Sequence, residues 1–189
     1  IMALYFKRVD VDDAPLLLEW RTSPEITKGM YTDLVDPTIA KQITWIESLQ
    51  GREDYRAYMI LDDKEPVGFL CFDDIDYQHQ RCSTGSYIYT REARLKYAVT
   101  LHTYICNYVF YQLKLNKIVN YVLDANEKVV KLQLIHKTRY VGYLKQHISK
   151  NNELLDVHIF EQLKEDWTKQ KQHFSLDIIK AAYNDWDKA

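Results

Sequence analysis

The chain has 189 residues and a formal net charge of −2; apolar residues make up 47% of it and charged residues 28%. A chain of this length can bury a core of its own, and this composition is typical of a globular protein. A charge so close to neutral gives no general attraction to nucleic acid, so binding of DNA or RNA is not expected.

The three cysteines, Cys71, Cys82 and Cys106, lie far apart in the sequence and form no C-x-x-C pair. Such spacing predicts reduced thiols rather than a disulfide framework or a zinc site, so no metal is expected. The sequence has neither a secretory signal nor an apolar run long enough to cross a membrane. It therefore predicts a cytoplasmic protein without a membrane partner.

The N-terminal part predicts one strand followed by helices. Residues 3–9 alternate in the manner of a strand. Helices are predicted over residues 10–21 and 36–50, because acidic residues and a proline suit the first turn of each. Asp36 is the expected cap of the second helix. The stretch between them, "SPEITKGMYTD" (residues 23–33), is expected to be a loop or a broken helix.

The remaining sequence alternates strands and helices. Strands are predicted over residues 56–63, 66–75, 82–90, 117–123, 140–148 and 154–163. Helices are predicted over residues 96–113 and 124–137, and helical material is expected from residue 166 onward. Antiparallel hairpins come first and a strand–helix–strand unit follows, which predicts an α+β mixed sheet covered by helices.

A single domain is the simplest prediction, over residues 2–167, with residues 168–189 as a helical extension packed on it. The extension has an apolar face that must be buried, formed by Ile178, Ile179, Ala182 and Tyr183. Burial of that face could make the extension a cap on the domain or support a homodimer.

Three stretches resemble consecutive parts of the GCN5-related N-acetyltransferase (GNAT) family: "VGFLCFDDID", "GSYIYTREARLKYAVTLHTYICNYVF" and "LDANEKVVKLQLIHKTRYVGYLKQHI". The resemblance covers residues 3–167. It implies a GNAT fold, with a mixed central sheet of about seven strands and helices on both faces. It also implies acetyl-CoA as the cofactor and direct attack of an amine on the thioester.

Two further stretches resemble particular branches of the family. "LLLEWRTSPEITKGMYTD" is similar to the N-acetyltransferases of pseudaminic acid biosynthesis, which acetylate an amino group on a nucleotide-linked deoxysugar. The closing "FEQLKEDW" is typical of the branch that contains ribosomal-protein and aminosugar acetyltransferases. The resemblance therefore implies a nucleotide-linked aminosugar as the acceptor.

The family holds the cofactor pyrophosphate with backbone N–H groups in an R-x-x-G-x-G/A loop that opens a helix. The matching residues here contain no glycine: Arg94, Leu95, Lys96, Tyr97, Ala98 and Val99. If the loop has ordinary helical torsions, Tyr97 can point away and the anion site survives. If a position needs φ > 0, Tyr97 or Val99 would be strained there, and Tyr97 could also fill the phosphate space.

The resemblance implies further cofactor contacts outside this loop. Tyr87, Ile88 and Tyr89, on the strand before the loop, could frame the pantetheine arm through their backbone. Asn126 matches the asparagine that the family uses near the cofactor. Asn126 could equally belong to an ordinary helix start, since Asp124 lies just before it.

The expected proton donor of the family is missing. Gln133 stands where many relatives have the tyrosine that protonates the leaving thiolate, and glutamine cannot serve as that acid. His136 lies three residues on and can share the same helix face, so it is a candidate replacement. Tyr140 and Tyr143 are further candidates.

A general base is expected at the end of the predicted strand 66–75, where Asp73, Asp74 and Asp76 cluster. A carboxylate there could take a proton from the acceptor ammonium. Asp74 is the residue predicted for this role, although the three carboxylates could equally form a solvated acidic turn.

The acceptor is expected to contact Trp20, Arg21, Met30 and Tyr31. Arg21 could bind a nucleotide phosphate, and Trp20 or Tyr31 could stack on a base or sugar. Trp20 could equally belong to the core. The main hypothesis is an acetyl-CoA-dependent N-acetyltransferase of a nucleotide-linked aminosugar. Two alternatives stay open: a non-catalytic binding module, and an acetyltransferase for a protein N-terminus or another amine.

Overall fold

The computed structural model describes residues 4–170 and 175–187. Its strands are β1 (Leu4–Arg8), β2 (Arg56–Asp62), β3 (Glu65–Asp76), β4 (Arg81–Ile88), β5 (Lys117–Leu123), β6 (Arg139–Lys150) and β7 (Glu153–Leu163). They form a seven-stranded sheet in the order β1-β2-β3-β4-β5-β7-β6. The first four strands are antiparallel neighbours, whereas β4 and β5 are parallel. The predicted mixed α+β sheet is confirmed.

Eight α-helices accompany the strands within the described ranges. They are α1 (Ala14–Thr22), α2 (Pro24–Thr27), α3 (Ile39–Ser48), α4 (Arg91–Tyr97), α5 (Leu101–Asn107), α6 (Glu127–Ile135), α7 (Lys164–Thr168) and α8 (Leu176–Ala182). No helix in this part of the chain is both long and apolar enough to cross a membrane.

The start of α3 differs from the prediction. Asp36 was the expected cap, but its φ is 43° and the helix begins three residues later. Thr38 is the cap instead, because its Oγ1 accepts a hydrogen bond from the Lys41 N–H at 3.2 Å. Threonine and aspartate can both satisfy a free donor of the first turn, and the sequence offers both residues.

The helix predicted over residues 96–113 also begins elsewhere. Helix α4 starts at Arg91, because Thr90 Oγ1 accepts from the Ala93 N–H at 3.3 Å and caps the first turn. The chain then turns at residues 98–100 before α5, which continues into a π-helical turn, Tyr108–Gln112. The predicted helix start at Lys96 is therefore wrong. Helix α5 is largely buried, as expected for a segment that is apolar on nearly every side.

The chain divides into two compact units. Of the described residues, the first unit comprises 4–8, 53–120, 161–170 and 175–187, and the second comprises Val9–Arg52 and Tyr121–Phe160. The predicted division at residue 168 stays a prediction, but the structure places α8 in the first unit.

The extension lies along β1 in the first unit. Tyr183 forms a parallel bridge with Phe6, and their rings stack with centroids 4.4 Å apart. The Asn184 N–H donates to Phe6 O at 3.1 Å. Ile179 and Ala182 are buried, so most of the predicted apolar face is covered within the chain itself.

A polar network also holds the extension. Asp185 accepts hydrogen bonds from the Tyr58 hydroxyl at 2.8 Å and from Arg8 Nε at 2.5 Å. Tyr58 in turn lies 2.6 Å from the Tyr108 hydroxyl, which accepts from Arg56 Nη1 at 2.8 Å. Buried polar groups are stable only when they have partners, so these contacts fix the extension at one place on the sheet.

The second unit packs α1 against α2 and α3. Its buried apolar side chains include Leu17, Trp20, Ile26, Ile46 and Phe160. The β6–β7 hairpin belongs to the same unit up to residue 160.

Candidate active site

The glycine-free stretch from Arg91 to Thr100 keeps ordinary helical torsions. None of its residues has a positive φ. Ala98 has φ −52° and ψ −37°, and Thr100 has φ −75° and ψ −26°. Because no position here requires the left-handed region, glycine is not needed for this backbone path.

Tyr97 points into the core of the first unit. Its side chain is only 2% exposed, and its hydroxyl donates to Asp62 Oδ1 at 2.5 Å. Lys96 Nζ donates to Asp62 Oδ2 at 2.9 Å. The hydrogen bond from Tyr97, with a further contribution from Lys96, lowers the pKa of Asp62. The large Tyr97 side chain, which stands where the family has glycine, is therefore held by a hydrogen bond to Asp62 at the end of β2.

Arg94 holds the start of the helical stretch to the end of β4. Its Nη1 donates to the backbone oxygens of Ile88 at 3.1 Å and Tyr89 at 2.7 Å. Leu95 and Val99 project outward and are 79% and 49% exposed. The Arg94 guanidinium thus donates hydrogen bonds to two backbone carbonyl groups.

Three consecutive backbone donors lie at the start of α5. The N–H groups of Val99, Thr100 and Leu101 make no hydrogen bond within the described chain, whereas the Thr103 N–H donates to Thr100 O at 3.0 Å. Free N–H groups at a helix start are the arrangement that binds phosphate oxygens in proteins. The residues present therefore fit a pyrophosphate group.

Strand β4 pairs with β5 at its start. In the described part of the chain the β4–β5 ladder contains the pairs Arg81–Lys117 and Cys82–Ile118. Beyond it, the Asn120 side chain takes the place of backbone pairing and accepts from the Thr84 N–H at 2.9 Å.

The acidic cluster at the end of β3 divides into three environments. Asp74 is exposed and has a φ of 48°. Asp76 accepts from the His79 N–H and lies 2.8 Å from the His79 ring, and these hydrogen bonds lower its pKa. Asp73 is half-buried, and its pKa is raised by burial and by the neighbouring Asp74 carboxylate. A raised pKa suits a proton acceptor, which favours Asp73 over the predicted Asp74.

Asn126 is the N-cap residue of α6 but makes no capping hydrogen bond with its side chain. Its Nδ2 lies 2.8 Å from the position that a Cβ on Gly29 would occupy. The side chain thus packs against Gly29 in the second unit, and the ordinary helix-start role is not the one that it fills.

Gln133 is buried and tied to the end of its own helix. Its Oε1 accepts from the Thr138 hydroxyl at 3.0 Å, and its backbone oxygen accepts from the same hydroxyl at 2.9 Å. Gln133 therefore holds the α6–β6 connection, and its Nε2 still has hydrogens to donate.

His136 is half-buried, and burial lowers its pKa to about 4. The imidazole is then neutral at pH 7, which opposes the predicted role as the proton donor because an acid must carry its proton at the working pH. A neutral imidazole remains able to accept a proton.

The other two acid candidates contact a polar cluster on β7. The Tyr140 hydroxyl lies 3.1 Å from His158 Nδ1, and His158 Nε2 lies 2.6 Å from Asp124 Oδ1. The Tyr143 hydroxyl donates to Asp156 Oδ2 at 2.5 Å, and this bond raises the Tyr143 pKa to about 12. Asp156 and His158 were not predicted as site residues, although their alternation along a strand is visible in "LLDVHIF".

The predicted acceptor residues all belong to the second unit. Trp20 is only 1% exposed, so it is a core residue and its predicted stacking role is not supported. Met30 and Tyr31 are half-buried. Arg21 Nη2 donates to Thr32 O at 3.4 Å, whereas its Nη1 is shielded from solvent and has no hydrogen-bond partner within the described residues.

A sequence profile of the acetyltransferase (GNAT) domain matches residues 3–134. The chain belongs to the GNAT acetyltransferase family. It is therefore an N-acetyltransferase, and the cofactor of this family is acetyl-CoA. The GNAT prediction made from the sequence is confirmed.

Two bacterial relatives of this GNAT protein are similar over most of their length. It is 24% identical over 168 residues to the uncharacterized N-acetyltransferase p20 of Bacillus licheniformis, which covers 87% of this chain and 94% of p20. It is 24% identical over 136 residues to acetyltransferase PseH of Campylobacter jejuni, which covers 71% of this chain and 83% of PseH.

The GNAT fold is also that of solved spermidine N-acetyltransferases from Vibrio cholerae. The enzyme in complex with CoA and spermine matches with a TM-score of 0.81 at 20% identity, covering 88% of this chain and 98% of that one. A chimera of the Vibrio cholerae enzyme SpeG and hSSAT matches with a TM-score of 0.80 at 18% identity, covering 88% and 99%. Identities this low support the fold alone.

Proposed function

We propose that this GNAT enzyme transfers the acetyl group of acetyl-CoA to the amine of a nucleotide-linked deoxy-aminosugar. The amine nitrogen attacks the thioester carbonyl carbon, the carbon–sulfur bond breaks, and the coenzyme A thiolate leaves and takes up a proton. One proton is lost by the acceptor amine. The family activity is established; the identity of the acceptor is the proposal.

The unpaired Nη1 of Arg21 carries this proposal. A shielded guanidinium nitrogen without an acceptor costs free energy, and an anionic ligand would supply the missing acceptor. Phosphate and carboxylate match the planar donor fork of arginine, so a nucleotide diphosphate suits this position. Arg21 also lies in the "LLLEWRTSPEITKGMYTD" stretch that resembles the aminosugar branch.

A polyamine is the competing acceptor, because the Vibrio cholerae structural neighbours are spermidine N-acetyltransferases. Arg21 argues against it, since a second cation beside an uncompensated guanidinium would be repelled. A protein N-terminus is the third acceptor class, and the assay below includes a peptide that represents it. The non-catalytic alternative loses its main argument, because the glycine-free loop contains no position that requires glycine.

For the cofactor, we propose that the N–H groups of Val99, Thr100 and Leu101 hold the pyrophosphate. The backbone of Tyr87, which the family resemblance places beside the pantetheine arm together with Ile88, would hydrogen-bond the amides of that arm in the manner of an added strand. When bound, acetyl-CoA supplies the activated acetyl thioester. The cofactor contacts predicted for Tyr89, Arg94, Leu95, Lys96, Tyr97, Ala98 and Asn126 stay predictions.

For proton transfer, we propose a carboxylate of β3, Asp73 or the originally predicted Asp74, as the acceptor of the amine proton. Asp73 suits the role better, because its raised pKa gives it more affinity for that proton. Gln133 could donate a hydrogen bond to the oxyanion. It is not proposed as the acid that protonates the leaving thiolate, because glutamine cannot serve as that acid.

Two coarser features complete the proposal. The three cysteines are free thiols, as expected for a protein of a reducing compartment such as the cytoplasm. The possible homodimer stays a prediction, since the apolar face of α8 is covered within the chain itself.

The proposal is tested by measuring release of the coenzyme A thiol with UDP- and TDP-linked aminosugars, spermidine and a peptide with a free N-terminus. We expect turnover with a nucleotide-linked aminosugar. Arg21→Gln should raise the acceptor KM about tenfold or more, as expected for loss of a charged hydrogen bond. Its affinity for acetyl-CoA, measured by calorimetry, should stay unchanged.

Arg52→Gln is the matched control, because Arg52 is an exposed arginine of the same unit. Its acceptor KM should equal that of the wild type. Turnover of spermidine or the peptide, with none of any nucleotide sugar, would contradict the proposed acceptor and leave the family activity intact.

A further inference from the structure

A lysine at the tip of the β6–β7 hairpin reaches the segment that contains Met30 and Tyr31. Strand β6 ends at Lys150, and the two loop residues that follow, Asn151 and Asn152, have φ values of 50° and 63°. Positive φ at both loop residues is the requirement of a type I′ turn, and asparagine tolerates it well. The sequence "KNNE" therefore fixes the tight turn that presents Lys150.

The Lys150 ammonium is fully occupied. It donates to Thr27 O and to Met30 O, the latter at 2.8 Å, and it lies 3.3 Å from Asp33 Oδ1. Its side chain is only 10% exposed. The neighbouring Asn151 Nδ2 donates to Asp33 Oδ2 at 3.3 Å. An ammonium has three hydrogens, and three acceptors surround it here.

The segment that Lys150 contacts has little structure of its own. Its backbone makes short turns at the start, from the Gly29 N–H to Ile26 O at 3.1 Å and from the Met30 N–H to Thr27 O at 3.0 Å. After Met30 it forms neither helix nor strand until α3. A segment without a regular ladder keeps one conformation only if side chains from elsewhere hold it.

We propose that Lys150 is a positioning residue for the acceptor: it holds residues 27–33 in the conformation that presents Met30 and Tyr31. The inference rests on the proposed function and on the acceptor contacts that the sequence predicts for these two residues. Lys150 acts through the segment and not on the ligand, because its three donors are already used. This distinguishes it from Arg21, whose Nη1 still lacks an acceptor.

The first test is hydrogen exchange of the full chain, without any substrate. In Lys150→Met, which keeps an unbranched apolar side chain and removes the charge, the amides of residues 27–33 should exchange at least about tenfold faster. The amides of α5, in the first unit, should be unaffected. Lys145→Met is the matched control, because Lys145 is an exposed lysine of the same strand. It should exchange as the wild type does.

The second test is steady-state kinetics with whichever amine the wild type acetylates. Lys150→Met should raise the acceptor KM about tenfold, with kcat and the acetyl-CoA KM changed by less than about twofold. Asp33→Asn removes the carboxylate from the other side of the same ion pair. It should change the acceptor KM in the same direction, and it serves as the second variant should Lys150→Met fold poorly.

Unchanged exchange of residues 27–33 in Lys150→Met would overturn the inference whatever the acceptor is. Faster exchange with an unchanged acceptor KM would overturn it as well, because the segment would then be loosened without consequence for recognition. Failure of the proposed function gives a different result, in which the wild type acetylates another amine and no nucleotide sugar.

Discussion

The stretch Arg91–Thr100 and the segment of residues 27–33 reach a defined conformation in opposite ways. The first is shaped by its own backbone: Thr90 caps α4, and the torsions stay helical through Thr100. The second is held by side chains distant in the sequence, Lys150 and Asn126. Local hydrogen bonds let Arg91–Thr100 keep its conformation without glycine. The conformation of residues 27–33 depends instead on the side-chain contacts from elsewhere in the sequence.

The comparison also explains which residue types can change in each region. In the helical stretch, a side chain can be large if it points away from the free N–H groups, as Tyr97 does. In the anchored segment, a methyl group at Gly29 would already meet Asn126. Substitutions should therefore act on the backbone donors in the first region and on tertiary contacts in the second.

The largest effect is expected from removing one of the free backbone donors. Thr100→Pro removes the N–H at a position whose φ of −75° suits proline. Its affinity for acetyl-CoA should fall about tenfold or more, because one hydrogen bond to a charged phosphate is lost. Calorimetric titration with acetyl-CoA measures this.

Thr100→Ala is the control for that experiment, since it keeps the N–H and loses only the hydroxyl. Its affinity should be close to that of the wild type. Equal binding by the proline variant, at an unchanged melting temperature, would show that these donors do not hold the pyrophosphate.

A smaller effect is expected at the contact between Gly29 and Asn126. Gly29→Ala places a Cβ 2.8 Å from Asn126 Nδ2, the end of a flexible side chain that must then shift. If Asn126 lies beside the cofactor arm, the Kd for acetyl-CoA should rise by about two- to fivefold, a change of under about 1 kcal/mol. Calorimetry and thermal melting together measure it.

Gly142→Ala is the matched substitution in the same unit, because a Cβ there has no atom within 4 Å. It should alter neither affinity nor melting temperature. A Gly29→Ala variant that binds acetyl-CoA as the wild type does would remove the reason to place Asn126 near the cofactor.

The smallest effect is expected from the hydroxyl of Tyr97. Tyr97→Phe removes the hydrogen bond to Asp62 and should lower the free energy of unfolding by about 1 kcal/mol. This hydrogen bond lowers the pKa of Asp62 in the folded protein. The stability that the bond contributes is therefore fully present above the pKa of an unfolded aspartate, about 3.9. It is lost as the pH falls through the lower pKa of Asp62 in the folded state.

The difference in melting temperature between Tyr97→Phe and the wild type should accordingly be steady near pH 7 and shrink below about pH 4. Tyr5→Phe, at an exposed tyrosine of the same unit, should show no such difference. A difference that persisted unchanged into acid would mean that the effect of Tyr97 does not pass through the Asp62 carboxylate.

Much of the fold could be predicted from the sequence, because its signals are local. Strand alternation located all seven strands to within a few residues, and free cysteines and the buried helix before β5 followed from composition and pattern. Helix starts were less predictable. Asp36 and Thr38 are both suitable N-cap residues. The positive φ at Asp36 turns the chain before the helix, so Thr38 becomes the cap of α3.

The sequence by itself determined the family, because motif spacing along β3, β4 and α6 is a property of the chain alone. Tertiary structure decided the rest of the candidate site. It placed the Tyr97 hydroxyl against Asp62, buried Trp20 and brought Lys150 to the carbonyl of Met30. It also left Arg21 Nη1 without a hydrogen-bond partner among the described residues. Burial and hydrogen bonding depend on residues far apart in sequence, and no local pattern specifies which of them will meet.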